Sequence, residues 1–234
     1  MTEPLVSSLR PSAAEGVHEK VLELLAGRFE GRILDAPSGQ GRLSLALKAK
    51  GFDVVALDIT PPNLGGWGID CQEADLNKPL PCPESSFDVV VCVEGIEHLE
   101  NPHALVREFG RVLKPGGTLI VTTPNIQGLA SRLKFLFFGS FRYFNAKVDI
   151  ADRSLAGHIN PMPFTELEMI LLRNGFEVQY VTTNRLMRPW GGRALLALSR
   201  FINRHFNKAF HERLQTPELF FGEILIVQAK RKAP

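Results

Sequence analysis

Cysteine is scarce. Cys71, Cys82 and Cys92 are three in 234 residues, odd in number and without a Cys-x-x-Cys pair. That excludes a disulfide frame and a cysteine-built zinc site, and reads as reduced thiols in a cytoplasmic chain. No stretch reaches the ~18 consecutive apolar residues that a membrane-spanning helix requires. Met1 to Pro11 contains Glu3 and Pro4 and lacks the apolar core of a secretory signal. Internal repeats and low-complexity tracts are missing too. What is present is ordinary for a globular protein: 44% hydrophobic, 22% charged and 9% aromatic residues. The length fits one large domain or two very small ones, and a single domain of this size buries roughly 70% of its unfolded surface without a metal or disulfide to brace it.

The net charge is only +2, but it is unevenly placed. Six Lys/Arg and one Glu lie between Arg188 and Arg213, so the rest of the chain is acidic overall.

Short β-rich runs alternate with helical patterns, the signature of a parallel α/β sheet. Helices are predicted over Ala13–Ala26, Arg42–Lys50, Pro102–Leu113 and Pro163–Asn174, the first two and the last ended by Gly27, Gly51 and Gly175. Strands are predicted over Arg32–Ala36, Asp53–Asp58, Gln72–Asp75, Phe87–Val93, Thr118–Thr123, Phe176–Thr183 and Glu223–Ala229. Thr60–Gly68, with two prolines and three glycines, excludes a full helix, and Lys114-Pro115-Gly116-Gly117 reads as a stop and turn. Ile126–Arg153 and Leu186–Phe221 break the rhythm. They are expected as insertions over the carboxyl edge or flank of the sheet, and that edge is where ligands sit in open α/β sheets.

The first strand–turn–helix carries the chemistry. A strand ending in Asp35 runs into Pro37-Ser38-Gly39-Gln40-Gly41, whose glycines let backbone N–H groups approach a ligand closely. Asp58, closing the second strand, is placed to accept hydrogen bonds from two ribose hydroxyls. A bare glycine turn would be only a tight connection. Followed by Asp58 and then by Asp75-Leu76, it forms an ordered set.

Here the sequence resembles the class I S-adenosylmethionine-dependent methyltransferases of the type 11/23 group. The matching stretches are ILDAPSGQGRLSLAL, VVALDI, EADL, FDVVVCVEGIEHL and LVREFGRVLKPGGTLIVTTPN, covering about Arg32 to Asn125, with a weaker match in HINPMPFTELEMILLRNGFEV. Pro37 stands where the family usually has the first loop glycine, which removes one N–H donor but suits a rigid turn. The resemblance implies a Rossmann-like, doubly wound α/β sheet of seven strands, mostly parallel with a final antiparallel one around Leu219–Lys230, and helices on both faces. It implies a single domain, 1–234. Residues 13–125 would form the cofactor-binding half, 126–162 a lid and acceptor insertion, and 163–234 a C-terminal half with a helical insertion at about 186–218. It also implies S-adenosylmethionine as cofactor, with S-adenosylhomocysteine as product. Gly39 and the backbone around Pro37 and Gly41 would face the methionine part and Asp58 with Ile59 the ribose. Asp75 and Leu76 would meet the adenine, Asp35 would orient the loop, and Val93 and Glu94 would lie near the sulfonium. A hydride-transferring dinucleotide enzyme shares the first motif but not the ADL, EHL and LKPGG stretches.

Methyl transfer mainly requires alignment, plus removal of a proton when the acceptor is a hydroxyl. Glu94-x-x-Glu97-His98 places three polar groups at spacings of three and four, one face of a helical turn. His158 precedes a helix that returns to the same region. The set looks like quinone-precursor O-methyltransferases and small-RNA 2′-O-methyltransferases, in which two glutamates and two histidines bind a divalent ion. By that likeness Glu94, Glu97, His98 and His158 are candidate ligands for magnesium, manganese or zinc. Related enzymes carry the Glu-His without a metal, and Glu94, His98 and His158 are then candidate catalytic groups, His98 or His158 as base or orienter. His18, His103, His205 and His211 read as surface or helix-packing residues.

Leu129–Phe144, rich in aromatic and basic residues, is either a core helix or a lid whose apolar side favours an aromatic or lipid-like acceptor. In Arg193–Phe210, Arg193, Arg200, Arg204 and Lys208 fall within ~80° on a helical wheel, opposite Leu195, Leu198, Ile202, Phe206 and Ala209. The ordinary outcome is a helix packed on the domain with a solvated basic face. The others are a peripheral membrane contact and a phosphate-contacting face for RNA. The resulting expectation is a cytoplasmic O-directed methyltransferase acting on a small or lipid-linked acceptor. An RNA 2′-O-methyltransferase and a non-catalytic cofactor-binding regulatory subunit are the alternatives. The oligomeric state is not set by the sequence.

Overall fold

A computed structural model describes residues 13–27, 30–144, 157–206 and 212–233. Met1–Pro11, part of the proposed lid, and Lys208, Ala209 and His211 of the late basic segment lie outside these residues.

Helix α1 (Val17–Leu24) begins later than the periodicity predicts, because Gly16 turns left-handed with φ 82° and only then does the chain coil. Strand β1 (Arg32–Asp35) leads into helix α2 (Arg42–Ala49), and β2 (Asp53–Asp58) follows. A 3₁₀ turn at Gly65–Trp67 precedes β3 (Asp70–Glu73), and β4 (Phe87–Val93) leads to a second 3₁₀ turn at Ile96–His98. Helix α3 (Pro102–Val112) starts at Asn101, whose side chain accepts from the Ala104 N–H. Strand β5 (Leu113–Pro124), α4 (Leu129–Phe138), α5 (Phe164–Arg173) and β6 (Phe176–Thr183) come next. The chain ends with α6 (Gly192–Phe206), a 3₁₀ turn at Glu212–Gln215, α7 (Pro217–Phe221) and β7 (Ile224–Arg231).

The seven strands form one sheet in the order β3-β2-β1-β4-β5-β7-β6. Only β7 is antiparallel, inserted between β5 and β6. The strands carry apolar residues on both faces, as a sheet covered by helices on each side requires. Leu34, Val55, Val90 and Cys92 face α3 and α5 in one core. Ile33, Val54, Ala56, Val89 and Val91 face α1 and α2 in the other. Strand order reverses between β1 and β4, which opens a crevice beyond their carboxyl ends.

Four expectations need correction. β3 sits two residues earlier than predicted, because Val55 pairs with Asp70 and the register carries on to Asp58 with Glu73, leaving Asp75 and Leu76 in the loop beyond. The Lys114–Gly117 turn lies inside β5: Leu113 pairs with Phe87 and Thr118 with Val89, so the intervening residues bulge from the ladder. Helix α4 is not a core helix, since Ser131 alone is buried. Nor does α6 pack by its apolar side. Leu196 is buried while Leu195, Leu198, Phe201 and Ile202 stand exposed. Its seat is a narrow strip where Ser199 Oγ donates to Gln215 Oε1 and the Arg200 guanidinium donates to the Gln215 carbonyl.

The β7 end of the sheet is pinned by Glu223, 2% exposed. Its carboxylate accepts from Arg142 at 2.7 Å, from Arg185 Nη2 at 3.0 Å, from Asn184 at 3.3 Å and from the Tyr143 hydroxyl. Burial alone would raise its pKa, but the hydrogen bonds from Arg185, Tyr143 and Asn184 outweigh burial and hold it at about 2. A folded pKa below the usual 4.5 stabilises the protein above that pH and is lost as pH falls toward 2. Glu223→Gln is therefore expected to destabilise by about 3 kcal/mol at neutral pH. Denaturant titrations at pH 7 and about pH 3 should show the gap between the two proteins closing in acid.

Candidate active site

The crevice at the β1/β4 reversal holds a cavity of about 460 Å³. Asp35, Pro37, Ser38 and Gly39 line one side of it, Asp58 and Ile59 follow at the end of β2, and Asp75 and Leu76 come from the loop after β3. Val93, Glu94 and His98 close the β4 side. Nine of the ten residues expected around the cofactor thus line this one cavity, all but Gly41.

The loop is fixed from below. Gly39 N–H donates to Asp58 Oδ2 at 2.8 Å, and Thr60 N–H to Asp58 Oδ1 at 3.0 Å. Each oxygen keeps a lone pair for a ligand hydroxyl. Ser44 Oγ, buried on α2, donates to Asp35 Oδ2 at 2.6 Å, and the other Asp35 oxygen has no hydrogen bond. Burial pushes the Asp35 carboxyl up to about 7; the Asp58 charge adds to the rise and the Ser44 hydroxyl opposes it. Gly41 lies behind the wall, at φ 79°, where an added Cβ would come 2.3 Å from Leu64 Cδ1. Its role is to let the loop turn into α2.

Pro37 has a partner that the sequence did not reveal. A Cβ on Gly95 would sit 2.3 Å from Pro37 Cδ and 2.7 Å from Cγ, so the bare Gly95 makes room for the ring. Gly95→Ala should push the loop off the cavity and weaken S-adenosylhomocysteine binding about tenfold or more by calorimetry. Unchanged affinity would show that the loop can shift without harm.

On the acceptor side the residues divide. Glu94 takes a left-handed backbone, φ 45°, rare for a residue with a side chain. Its N–H donates to Thr122 Oγ1, and its Oε2 accepts the Ala14 N–H at 2.5 Å. Burial raises its pKa, with Glu223 adding and the Ala14 bond opposing. Glu97, His98 and His158 converge instead, each with a ligand atom within 4.8 Å of the others. Backbone bonds cause this: Ile159 N–H and Asn160 N–H both donate to the Glu97 carbonyl, at 3.0 and 2.9 Å. The His98 and His158 rings meet edge to face at 4.6 Å. The structure thus gathers three of the four candidate ligands and turns Glu94 toward α1.

Glu97 is fully buried, and neither carboxylate oxygen makes a hydrogen bond of full geometry. Burial pushes its pKa up to about 8; the Glu94 charge adds, and its own backbone N–H and the Thr123 hydroxyl oppose. His98 Nδ1 lies 3.0 Å from the Gly157 carbonyl, which can only accept, so Nδ1 carries the proton and Nε2 is left as an acceptor. Burial lowers the His158 pKa, His98 adds to the fall, and the Tyr143 backbone opposes it. Its Nδ1 is buried without a partner.

His18 and Arg42 also line the cavity. Burial, and next the Arg42 charge, lower the His18 pKa to about 4, so it stays neutral. No spacing marks His18, which was expected only to pack. Arg42 carried a signal: a cation in the first turn of a helix opposes the helix dipole and so calls for another reason to be there.

The doubly wound sheet, the loop clasped by Asp58 and the acids after β2 and β3 define a class I methyltransferase site. A family described as methyltransferase domain matches residues 10–181. A ubiquinone biosynthesis O-methyltransferase of Xanthomonas axonopodis pv. citri (strain 306) is 28% identical over 194 residues, 78% of each chain. An S-adenosylmethionine-dependent methyltransferase from Archaeoglobus fulgidus superposes at TM-score 0.59 and 17% identity, covering 98% of this chain and 94% of that one. The 1,6-didemethyltoxoflavin-N1-methyltransferase of Burkholderia thailandensis, with 1,6-didemethyltoxoflavin and S-adenosylhomocysteine bound, gives a TM-score of 0.57 at 14% identity, covering 92% of this chain and 77% of that one. The two structures share the fold. The chain belongs to the methyltransferase-domain family and is an S-adenosylmethionine-dependent methyltransferase.

Proposed function

We propose that the protein methylates a hydroxyl of a small or lipid-linked aromatic acceptor, with Glu97, His98 and His158 holding a divalent cation beside the cofactor. The carrying observation is the buried, unpaired Glu97 carboxylate facing two imidazoles, beside a cavity that His98 itself lines. An unpaired carboxylate in the interior is costly unless it stays protonated or meets a cation. A donor set of two imidazoles and one carboxylate fits zinc, magnesium or manganese. When bound, the ion would lower the acceptor hydroxyl's pKa and the cofactor would supply a methyl on positive sulfur. Among the chain's own groups, Asp58 would hold the ribose, Asp75 and Leu76 the adenine, and Glu94 would mark the sulfonium end. His98, which lines the cavity with its Nδ1 held by the Gly157 carbonyl, would offer Nε2 to the cation or to the entering hydroxyl.

The relatives named as ubiquinone biosynthesis O-methyltransferases support a hydroxyl acceptor. They favour it over an RNA 2′-hydroxyl and over a non-catalytic role. No helix among the described residues is long and apolar enough to cross a membrane. The basic and apolar Arg193–Phe210 segment would suit a peripheral lipid contact. The test is methyl transfer from labelled S-adenosylmethionine to a water-soluble catechol. We expect label on one hydroxyl, loss of turnover after exhaustive chelation and recovery with added magnesium or zinc. Cation affinity should rise with pH toward about 8, since Glu97 must lose its proton to become a ligand. Full turnover after chelation would leave His98 Nε2 as a metal-free base. Label on an amine and not on catechol would overturn the hydroxyl assignment.

A further inference from the structure

Helices α4 and α6 turn apolar side chains away from the protein. On α4, Leu136, Phe137 and Phe138 are 73%, 71% and 75% exposed, with Leu133 and Phe135 beside them. On α6, Leu195, Leu198, Phe201 and Ile202 are exposed, and Trp190 just before it is fully so. These side chains are not scattered. Leu129 at the start of α4 and Leu196 of α6 pack on the same Phe220 and Phe221 pair of α7. The Arg132 guanidinium lies 5.4 Å from the Phe220 ring centre and that of Arg188 5.8 Å from Phe221. Two helices seated on one small core therefore each turn a run of apolar side chains to water, and exposed apolar clusters of this kind mark interaction surfaces.

Charge indicates what covers it. Residues 126–144 carry Arg132, Lys134 and Arg142, the last paired with Glu223, and 186–206 carry Arg188, Arg193, Arg200 and Arg204, with no Asp or Glu within either stretch. Arg193, Arg200 and Arg204 are exposed on α6 itself. Apolar side chains fringed by cations match the boundary between headgroups and acyl chains of an anionic bilayer. Phe137, Phe138 and Trp190 would also suit base stacking, but the aliphatic Leu133, Leu136, Leu195, Leu198 and Ile202 exposed among them suit acyl chains better. The surface also adjoins the acceptor side. Six residues after Phe138, Phe144 places its ring 5.3 Å from that of His158.

We propose that α4 and α6 together form a docking face for an anionic lipid bilayer, which holds the acceptor side of the cavity close to the membrane. Docking stands on its own; that a membrane-borne acceptor enters from this side rests on the hydroxyl-methylation reading. The test is co-sedimentation of the full chain with vesicles of phosphatidylcholine alone and of equimolar phosphatidylcholine and phosphatidylglycerol. Binding to the anionic vesicles should be at least about tenfold stronger and should weaken with added salt. Phe137→Glu combined with Phe138→Glu should reduce it about tenfold or more, as should Arg193→Glu with Arg204→Glu. All four side chains are solvated, so affinity for S-adenosylhomocysteine should not change. Equal weak binding to both vesicles, or variants that bind like the parent, would overturn the proposal. So would a concentration-dependent dimer, or RNA binding, that the same variants abolish in a chain that ignores vesicles. Vesicle binding that persists where catechol is not methylated would sink the acceptor reading and keep the docking face.

Discussion

His98→Ala is expected to lower kcat by roughly two to three orders of magnitude while leaving S-adenosylhomocysteine affinity within about twofold. His98 lines the cavity on its β4 side, and its Nδ1–H is committed to the Gly157 carbonyl. That bond fixes the ring and leaves Nε2 as the nitrogen available to a cation or to an acceptor proton. His158 stands against it at 4.6 Å with an unpartnered Nδ1, and the buried Glu97 completes the set, so His98→Ala removes the member that lines the cavity. The cofactor contacts expected from Gly39, Asp58, Asp75 and Leu76 lie at the ends of β1, β2 and β3 and should be spared. Single-turnover rates with calorimetric titration separate the two effects. A fall in affinity with unchanged turnover would move His98 to the cofactor side.

Asp58→Ala is the second large effect. Asp58 offers a free lone pair on each oxygen beside the ligand space, and a hydrogen bond to a charged group contributes about 1.5–3 kcal/mol. Two lost bonds amount to about 100-fold in cofactor affinity or more. The loop should suffer as well, because the Gly39 N–H rests on Asp58 Oδ2 at 2.8 Å. Asp58→Asn keeps one oxygen and should fall between the two. Titration with S-adenosylhomocysteine decides the matter, and equal affinity in all three proteins would remove the ribose from Asp58.

The parts of this molecule that were legible in the sequence are those governed by local pattern. β2 and β4 occupy Asp53–Asp58 and Phe87–Val93 as their apolar runs predict, because buried strands leave little freedom in composition, and the half-exposed edge strand β6 occupies Phe176–Thr183 as its β-rich run predicts. Asp58 and Asp75 were readable because each ends or follows such a strand. The bulge within β5 was not, since Lys114–Gly117 has the chemistry of a turn and only pairing of Leu113 with Phe87 carries it into the sheet. Contacts between distant segments were equally hidden. Gly95 yields to Pro37, Glu94 bonds to Ala14 eighty residues away, and Glu223 draws in Arg142 and Arg185 from two other segments. Helix α6 misled for a different reason. Its wheel separates basic from apolar residues, but the apolar stripe is not the one that touches the protein; the contact runs along one edge of the basic stripe, through Leu196, Ser199 and Arg200.

The most direct measurement is a crystal structure of the protein with S-adenosylhomocysteine. The account predicts the ribose hydroxyls on Asp58, the adenine over Leu76 with its edge toward Asp75, and the sulfur opening toward Glu94 and His98. A ligand seated elsewhere, or this crevice filled by a different nucleotide, would contradict it.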